Sequence, residues 1–173
     1  MCIRDRVGTT AVLVAIVWGM REGDEVPDFQ LPDQSGAVRS LSGLLADGPV
    51  VLFFYPAAMT SGCTKEACHF RDVAAEFRAA GAQRVGISRD SVEKQKQFSD
   101  QHSFDYPLLA DTDGKVADLF GVARGKLGQK LGAPVKRWTF VIGTDRRVKK
   151  VLHSETKMEM HADSALSALA ASS

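Results

Sequence analysis

The feature that most constrains this chain is the run Val50-Val51-Leu52-Phe53-Phe54-Tyr55, closed by Pro56. An unbroken apolar stretch of this length fits a central strand covered on both faces, so it calls for layers above and below it. The residues that follow offer one such layer. Cys63, Ala67, Phe70, Ala74 and Phe77 recur at spacings of three or four, which predicts a helix over residues 61–80 that Gly81 ends. Arg84 to Ser88 reads as a second strand, and Asp90-Ser91 can cap a helix running to about Gln101. Tyr106 to Ala110 is expected as a strand, Lys115 to Phe120 as a short helix, and Gly121 to Pro134 as a loop. Trp138 to Ile142 and Val148 to His153 read as a hairpin turning at residues 143–146, and Asp163 to Ala171 as a final helix. Near the start, Gln34-Ser35-Gly36 reads as a turn leading into Val38 to Leu41. The order predicts an α/β fold: a central mixed sheet flanked by helices, preceded by an N-terminal β-hairpin.

A length of 173 residues suits one domain, and 45% hydrophobic with 25% charged residues is the make-up of an ordinary globular chain. Lys plus Arg number 22 against 21 Asp plus Glu, so no basic surplus points to nucleic acid or to an anionic membrane. The apolar run Ala11 to Trp18 is well short of the roughly 18 residues a membrane-spanning helix needs. Behind Arg4 and Arg6 it resembles a signal peptide, but it lacks the small-x-small cleavage site. Charged and turn-forming residues begin abruptly after Trp18. Residues 1–19 are therefore expected to be a non-native or disordered extension ahead of a start at Met20, with an export signal as the alternative, and residues 20–173 a single domain. Cys2 falls in that extension and is given no role. Three cysteines are too few for a secreted disulfide framework, and a cytoplasmic location is expected.

The chemistry concentrates in Pro56 to Cys68. A buried strand ends at Pro56, a short loop follows, and Thr60 is placed to cap a helix with Cys63 in its first turn. Free amides and the positive end of the helix dipole stabilise an anion there, which favours a reactive thiolate. The plainer reading of Cys63 is a small buried hydrophobe. Cys68 lies five residues on, which in an ideal helix separates the Cα atoms by roughly 8–9 Å. A disulfide wants less than about 7 Å, so the two cannot bridge while the helix is intact. Zinc ligation is disfavoured, because the usual spacing is shorter and His69 is the one ligand nearby. His69, His102, His153 and His161 are read as solvated or packing residues, and Glu66 as a surface partner of Arg71 or Lys65, with a minor tuning role beside Cys63 as the alternative. Gly125 to Gly132 lacks the pattern of a phosphate-binding loop.

The motif Pro56-x-x-x-Thr60-x-x-Cys63 resembles the active-site signature of the peroxiredoxins. Cys68 at five residues' distance is similar to the Q-type branch, also called bacterioferritin comigratory protein. Gly23-Asp24-x-x-Pro27-Asp28-Phe29 looks like the family's opening motif, and Arg137-x-Thr139-Phe140-Val141-Ile142 like its later strand, so the likeness runs from about Gly23 to Leu169. Ser61, where many relatives have proline, and the bulky Trp138 depart from the pattern. The resemblance implies a thioredoxin-like fold and hydroperoxide reduction without metal or prosthetic group. Cys63 is then the peroxidatic nucleophile and Cys68 the resolving thiol that forms an intramolecular disulfide with it. In the same scheme Thr60 holds thiolate and peroxide through its hydroxyl, Arg137 supplies positive charge, and Pro56 shields the sulfur. Thioredoxin or a similar dithiol protein is the implied reductant, and a monomer the implied state, with a weak dimer as the alternative. Two competitors remain at this stage. One is a thioredoxin-like disulfide reductase, which would normally carry C-x-x-C; the other is a holdase whose cysteines sense oxidation. The bland reading of Arg137 is a surface charge at a strand end.

Overall fold

The apolar run becomes the middle strand of the main sheet in a computed structural model, which describes residues 19–172. A small antiparallel hairpin comes first, β1 (Gln30–Pro32) with β2 (Val38–Ser40), followed by the short helix α1 (Leu41–Leu45). Then come β3 (Val50–Phe54), α2 (Ser61–Asp72), α3 (Ala74–Ala79), β4 (Gln83–Ser88), α4 (Val92–His102), β5 (Leu108–Ala110) and α5 (Lys115–Phe120). The chain finishes with α6 (Gly125–Lys130), β6 (Trp138–Ile142), β7 (Val148–His153) and α7 (Met158–Ala171). The five-stranded sheet has the order β5-β4-β3-β6-β7; β3 runs parallel to β4 and antiparallel to β6. The expected mixed sheet and N-terminal hairpin are both present.

Alternation along β3 divides the core in two. Val50, Leu52 and Phe54 pack with Leu41 and Leu44 of α1 and with Val116 and Phe120 of α5. Val51 and Phe53 point the other way, onto Cys63, Ala67 and Phe70 of α2, Phe98 of α4, and Ala162 and Ala165 of α7. Phe53 and Phe70 stack in parallel with ring centroids 4.2 Å apart, fixing the inward face of α2 against the sheet. All five residues of β3 are buried, as its unbroken apolar composition requires.

Several elements differ from the sequence reading. The helix expected over residues 61–80 breaks at Val73, whose φ of −97° and ψ of 27° leave the helical region. The Phe70 carbonyl, which an unbroken helix would pair with the amide four residues on, accepts instead from Arg84 Nη1 at 2.7 Å. The expected loop over Gly121 to Pro134 contains the six-residue helix α6, with Leu127 exposed on it and Leu131 exposed just after it. Helix α7 starts five residues earlier than Asp163, because Met158 to Ala162 extend its buried face through His161 and Ala162. Strand β5 is shorter than expected, and α1 was not foreseen. The extension expected over residues 1–19 lies outside the described residues apart from Gly19. Among the described residues no helix is long and apolar enough to cross a membrane.

Candidate active site

Strand register assembles the site. Phe54, the last residue of β3, pairs with Trp138, the first of β6, so Arg137 stands beside the point where β3 gives way to the Pro56–Thr60 loop. That loop is held from β4 and the turn behind it. The Tyr55 amide donates to Ile87 O at 3.1 Å, and the Ala58 amide donates to Asp90 Oδ2 at 2.7 Å. Pro56 is half-buried at the loop's start, and Met59 takes the left-handed conformation with φ 70°. Thr60 occupies the N-cap position of α2, extended at φ −82° and ψ 153°, and its carbonyl accepts the Thr64 amide at 2.9 Å. Its side chain does not cap the helix, contrary to expectation. The hydroxyl donates back to Ala57 O at 2.8 Å, because the tight loop leaves that carbonyl within its reach.

Cys63 sits one turn into α2 and is buried, with 1% of its surface exposed. Arg137 Nη2 donates to Cys63 Sγ at 3.4 Å, while Nη1 donates to Glu66 Oε2. A guanidinium donating to sulfur stabilises negative charge on it. Burial opposes the Arg137 charge, but the Glu66 carboxyl group and the Cys63 sulfur facing it outweigh that and hold its pKa above the ordinary arginine value. Arg137 is thus an interior charge and not a surface one. Gly62 makes room for this approach: a Cβ there would lie 3.3 Å from Arg137 Nη2 and 2.9 Å from Met158 Cε.

Glu66 is not the surface residue expected from sequence. Its side chain is fully buried and paired with Arg137, whereas Lys65 faces Glu159 at 3.4 Å and Arg71 pairs with Asp72. Glu66 Oε1 has no hydrogen-bond partner among the described residues, and His161 Nδ1 lies 3.8 Å from it. His161 is itself fully buried, bonded through Nδ1 to Thr139 Oγ1 at 2.8 Å and through Nε2 to Ser154 O at 2.9 Å. Burial pushes the Glu66 carboxyl up to about 8, against the pull of Arg137. It pushes the His161 imidazole below its ordinary value. The remaining histidines pack or sit at the surface as read: His69 pairs with Asp163, His102 lies between Phe98 and Phe104, and His153 stacks on Trp138.

Cys68 is half-buried further along α2 and is not bonded to Cys63. Burial pushes its thiol up, with Arg71 opposing. The helix around it is tethered: Tyr106 OH donates to Ala67 O at 2.7 Å, just before Arg84 takes the Phe70 carbonyl. The fold therefore brings Cys63 into contact with Arg137, sets Pro56 and Thr60 on the loop leading into the same helix, and leaves Cys68 one and a half turns away. His161 was missed, and Glu66 was placed at the surface with only a minor tuning role beside Cys63 left open. For Glu66 a signal existed, since it lies three residues from Cys63 on the stripe that carries Ala67 and Phe70.

Comparison with known proteins identifies the family. Residues 22–151 match the model of the AhpC/TSA family. A chloroplastic peroxiredoxin Q from Sedum lineare is 40% identical over 148 residues, covering 86% of this chain and 77% of the relative. The crystal structure of peroxidoxin BcpB from Mycobacterium tuberculosis is 62% identical with a TM-score of 0.83, covering 88% of this chain and 97% of that one. The bacterioferritin comigratory protein of Xanthomonas campestris is 32% identical with a TM-score of 0.74, over 83% of this chain and 91% of that one. The fold is thioredoxin-like, and the chain belongs to the AhpC/TSA family as a Q-type peroxiredoxin, an enzyme that reduces peroxides with a thiol.

Proposed function

We propose that Cys63 is the peroxidatic thiolate and Cys68 its resolving partner. The thiolate attacks the terminal oxygen of a hydroperoxide, the O–O bond breaks, and sulfenic acid forms at Cys63 while the departing alkoxide or hydroxide takes a proton. Arg137, 3.4 Å from the sulfur, is the single contact that carries this reading. It stabilises the thiolate and then the charge that moves onto the leaving oxygen. The Thr60 hydroxyl, on rotating away from Ala57 O, donates to the peroxide, and Pro56 screens the sulfur from solvent. Cys68 then attacks the sulfenic sulfur, water leaves, and a Cys63–Cys68 disulfide results. A thioredoxin-like dithiol reduces it by exchange. Both thiols lie on one helix of one chain, so a monomer suffices for the whole cycle, and hydrogen peroxide and organic hydroperoxides are both substrates.

The test is steady-state peroxide consumption with thioredoxin and its reductase supplying electrons. Turnover should vanish in Cys63→Ser, and peptide mapping of the wild-type protein after one equivalent of peroxide should find Cys63 joined to Cys68. A disulfide other than Cys63–Cys68, or full turnover without Cys63, contradicts the assignment.

A further inference from the structure

Glu66 is a buried acid that the peroxidase cycle leaves without a task, and its surroundings give it one. Around it stand Cys63 on its own helix, Arg137 and Thr139 from the β6 side, His161 from α7, and Glu155 from the segment before α7. Arg137 bonds Oε2, while Oε1 is buried, has no hydrogen bond among the described residues, and faces His161 Nδ1. The imidazole's state follows from its partners. Ser154 O can only accept, so Nε2 carries a hydrogen, and Nδ1 then accepts from the Thr139 hydroxyl in the neutral ring. The other charges facing the ring are those of Arg137, Glu155 and His153. The region around Cys63 thus holds one guanidinium, the Cys63 sulfur and a Glu66–His161 pair, all withdrawn from water. Desolvated charges need compensation. A thiolate on one side of Arg137 and a carboxylate on the other would leave one negative charge in excess.

We propose that the Glu66–His161 pair holds one proton, carried on Glu66, while Cys63 is a thiolate, and releases it when Cys63 is oxidised. This rests on Cys63 reacting as the thiolate nucleophile. Formation of neutral sulfenic acid removes the negative charge that Arg137 had been facing, and ionisation of Glu66 restores it. The step balances: Cys63 thiolate, hydroperoxide and the Glu66 carboxylic acid give Cys63 sulfenic acid, alcohol or water, and the Glu66 carboxylate. The sulfur loses two electrons, the O–O bond gains them, and the proton that neutralises the leaving oxygen is replaced from Glu66 instead of from bulk. Burial raises the carboxyl and depresses the imidazole, which agrees with that resting placement of the proton. Reduction of the enzyme back to the thiolate reloads the pair.

Proton counting tests this. Cys68→Ser stops the cycle at sulfenic acid, and a pH indicator in weak buffer reads proton uptake on mixing with one equivalent of hydrogen peroxide. The starting pH is one at which ultraviolet absorbance shows Cys63 ionised. Uptake per Cys63 oxidised should be near zero with Glu66 present and near one in the Glu66→Gln, Cys68→Ser double variant; equal uptake in the two overturns the proposal. Infrared difference spectra of the Cys68→Ser protein alone provide a reading that needs no change at Glu66. The protonated-carboxyl C=O band should disappear on oxidation, and its persistence overturns the proposal. A dimedone adduct at Cys63, read by mass, separates the two assignments. Without it the peroxidase reading falls and takes this one with it; with it, a failed proton count overturns only the role of the pair.

Discussion

Replacing Tyr106 by phenylalanine should make the Cys63–Cys68 disulfide form faster. In the intact helix the two Cα atoms are held roughly 8–9 Å apart, beyond disulfide reach, so the peptide units between them must leave helical dihedrals before the sulfurs can meet. The last of those units is Ala67–Cys68, and its carbonyl is the one that Tyr106 OH holds at 2.7 Å. Tyr106 is buried, with 4% of its surface exposed, and its ring stays in place against Phe53 and Phe104 whether or not it carries a hydroxyl. The substitution therefore deletes one buried hydrogen bond made by the helical form and not by the unwound one. Such a bond contributes about 0.5–1.5 kcal/mol, which corresponds to a roughly two- to tenfold larger unwound population and the same factor in the rate of disulfide formation. Rapid quenching with a thiol-alkylating reagent after one equivalent of peroxide, followed by mass analysis, measures that rate apart from the oxidation step. The rate of sulfenic acid formation should not rise with it. An unchanged or slower disulfide step in Tyr106→Phe would refute the idea that this tether restrains α2.

Three other outcomes follow from the site. Glu66 has a folded-state pKa near 8, above its unfolded value of 4.5, so its protonation stabilises the fold fully at low pH and that contribution is lost as pH rises through about 8. Urea midpoints of the wild type should fall across that window and those of Glu66→Gln should fall less; parallel slopes would contradict the burial argument. Gly62→Ala puts a Cβ 3.3 Å from Arg137 Nη2 and 2.9 Å from the Met158 methyl. The flexible methionine can yield, so thermal stability should change little while sulfenic acid formation slows through displacement of Arg137, and an unimpaired rate would show that the guanidinium tolerates the shift. Phe70→Ala removes a fully buried ring stacked on Phe53 and should cost about 3–5 kcal/mol in chemical denaturation, a loss under 1 kcal/mol marking a site that collapses freely.

Local patterns were legible where local physics decides them. The Val50–Tyr55 run announced a strand buried on both faces, and the stripe from Cys63 to Phe77 announced helical cover for it, though as a single helix. Thr60 was legible as a helix boundary but not as a donor to Ala57 O, since loop curvature chose the hydroxyl's partner. At the break near Val73, Arg84 takes the Phe70 carbonyl, an interaction that no periodicity encodes. Arg137 could be matched to a motif, yet only the pairing of Phe54 with Trp138 explains why it meets a sulfur 74 positions earlier. Glu66 was misread because a charge on an apolar stripe was assigned to solvent, when its buried partner was the residue just ahead of β6. His161 lay ahead of the expected start of the last helix, so its inward face was invisible to the pattern.

The second-order rate of sulfenic acid formation, compared between the wild type and Arg137→Met by stopped flow with hydrogen peroxide, tests the Cys63–Arg137 contact most directly. The wild type should react well above about 10⁴ per molar per second, and loss of the guanidinium should slow it by about 10²–10³-fold. A wild-type rate no faster than that of an unassisted thiol, or one that Arg137→Met leaves unaltered, would contradict the account.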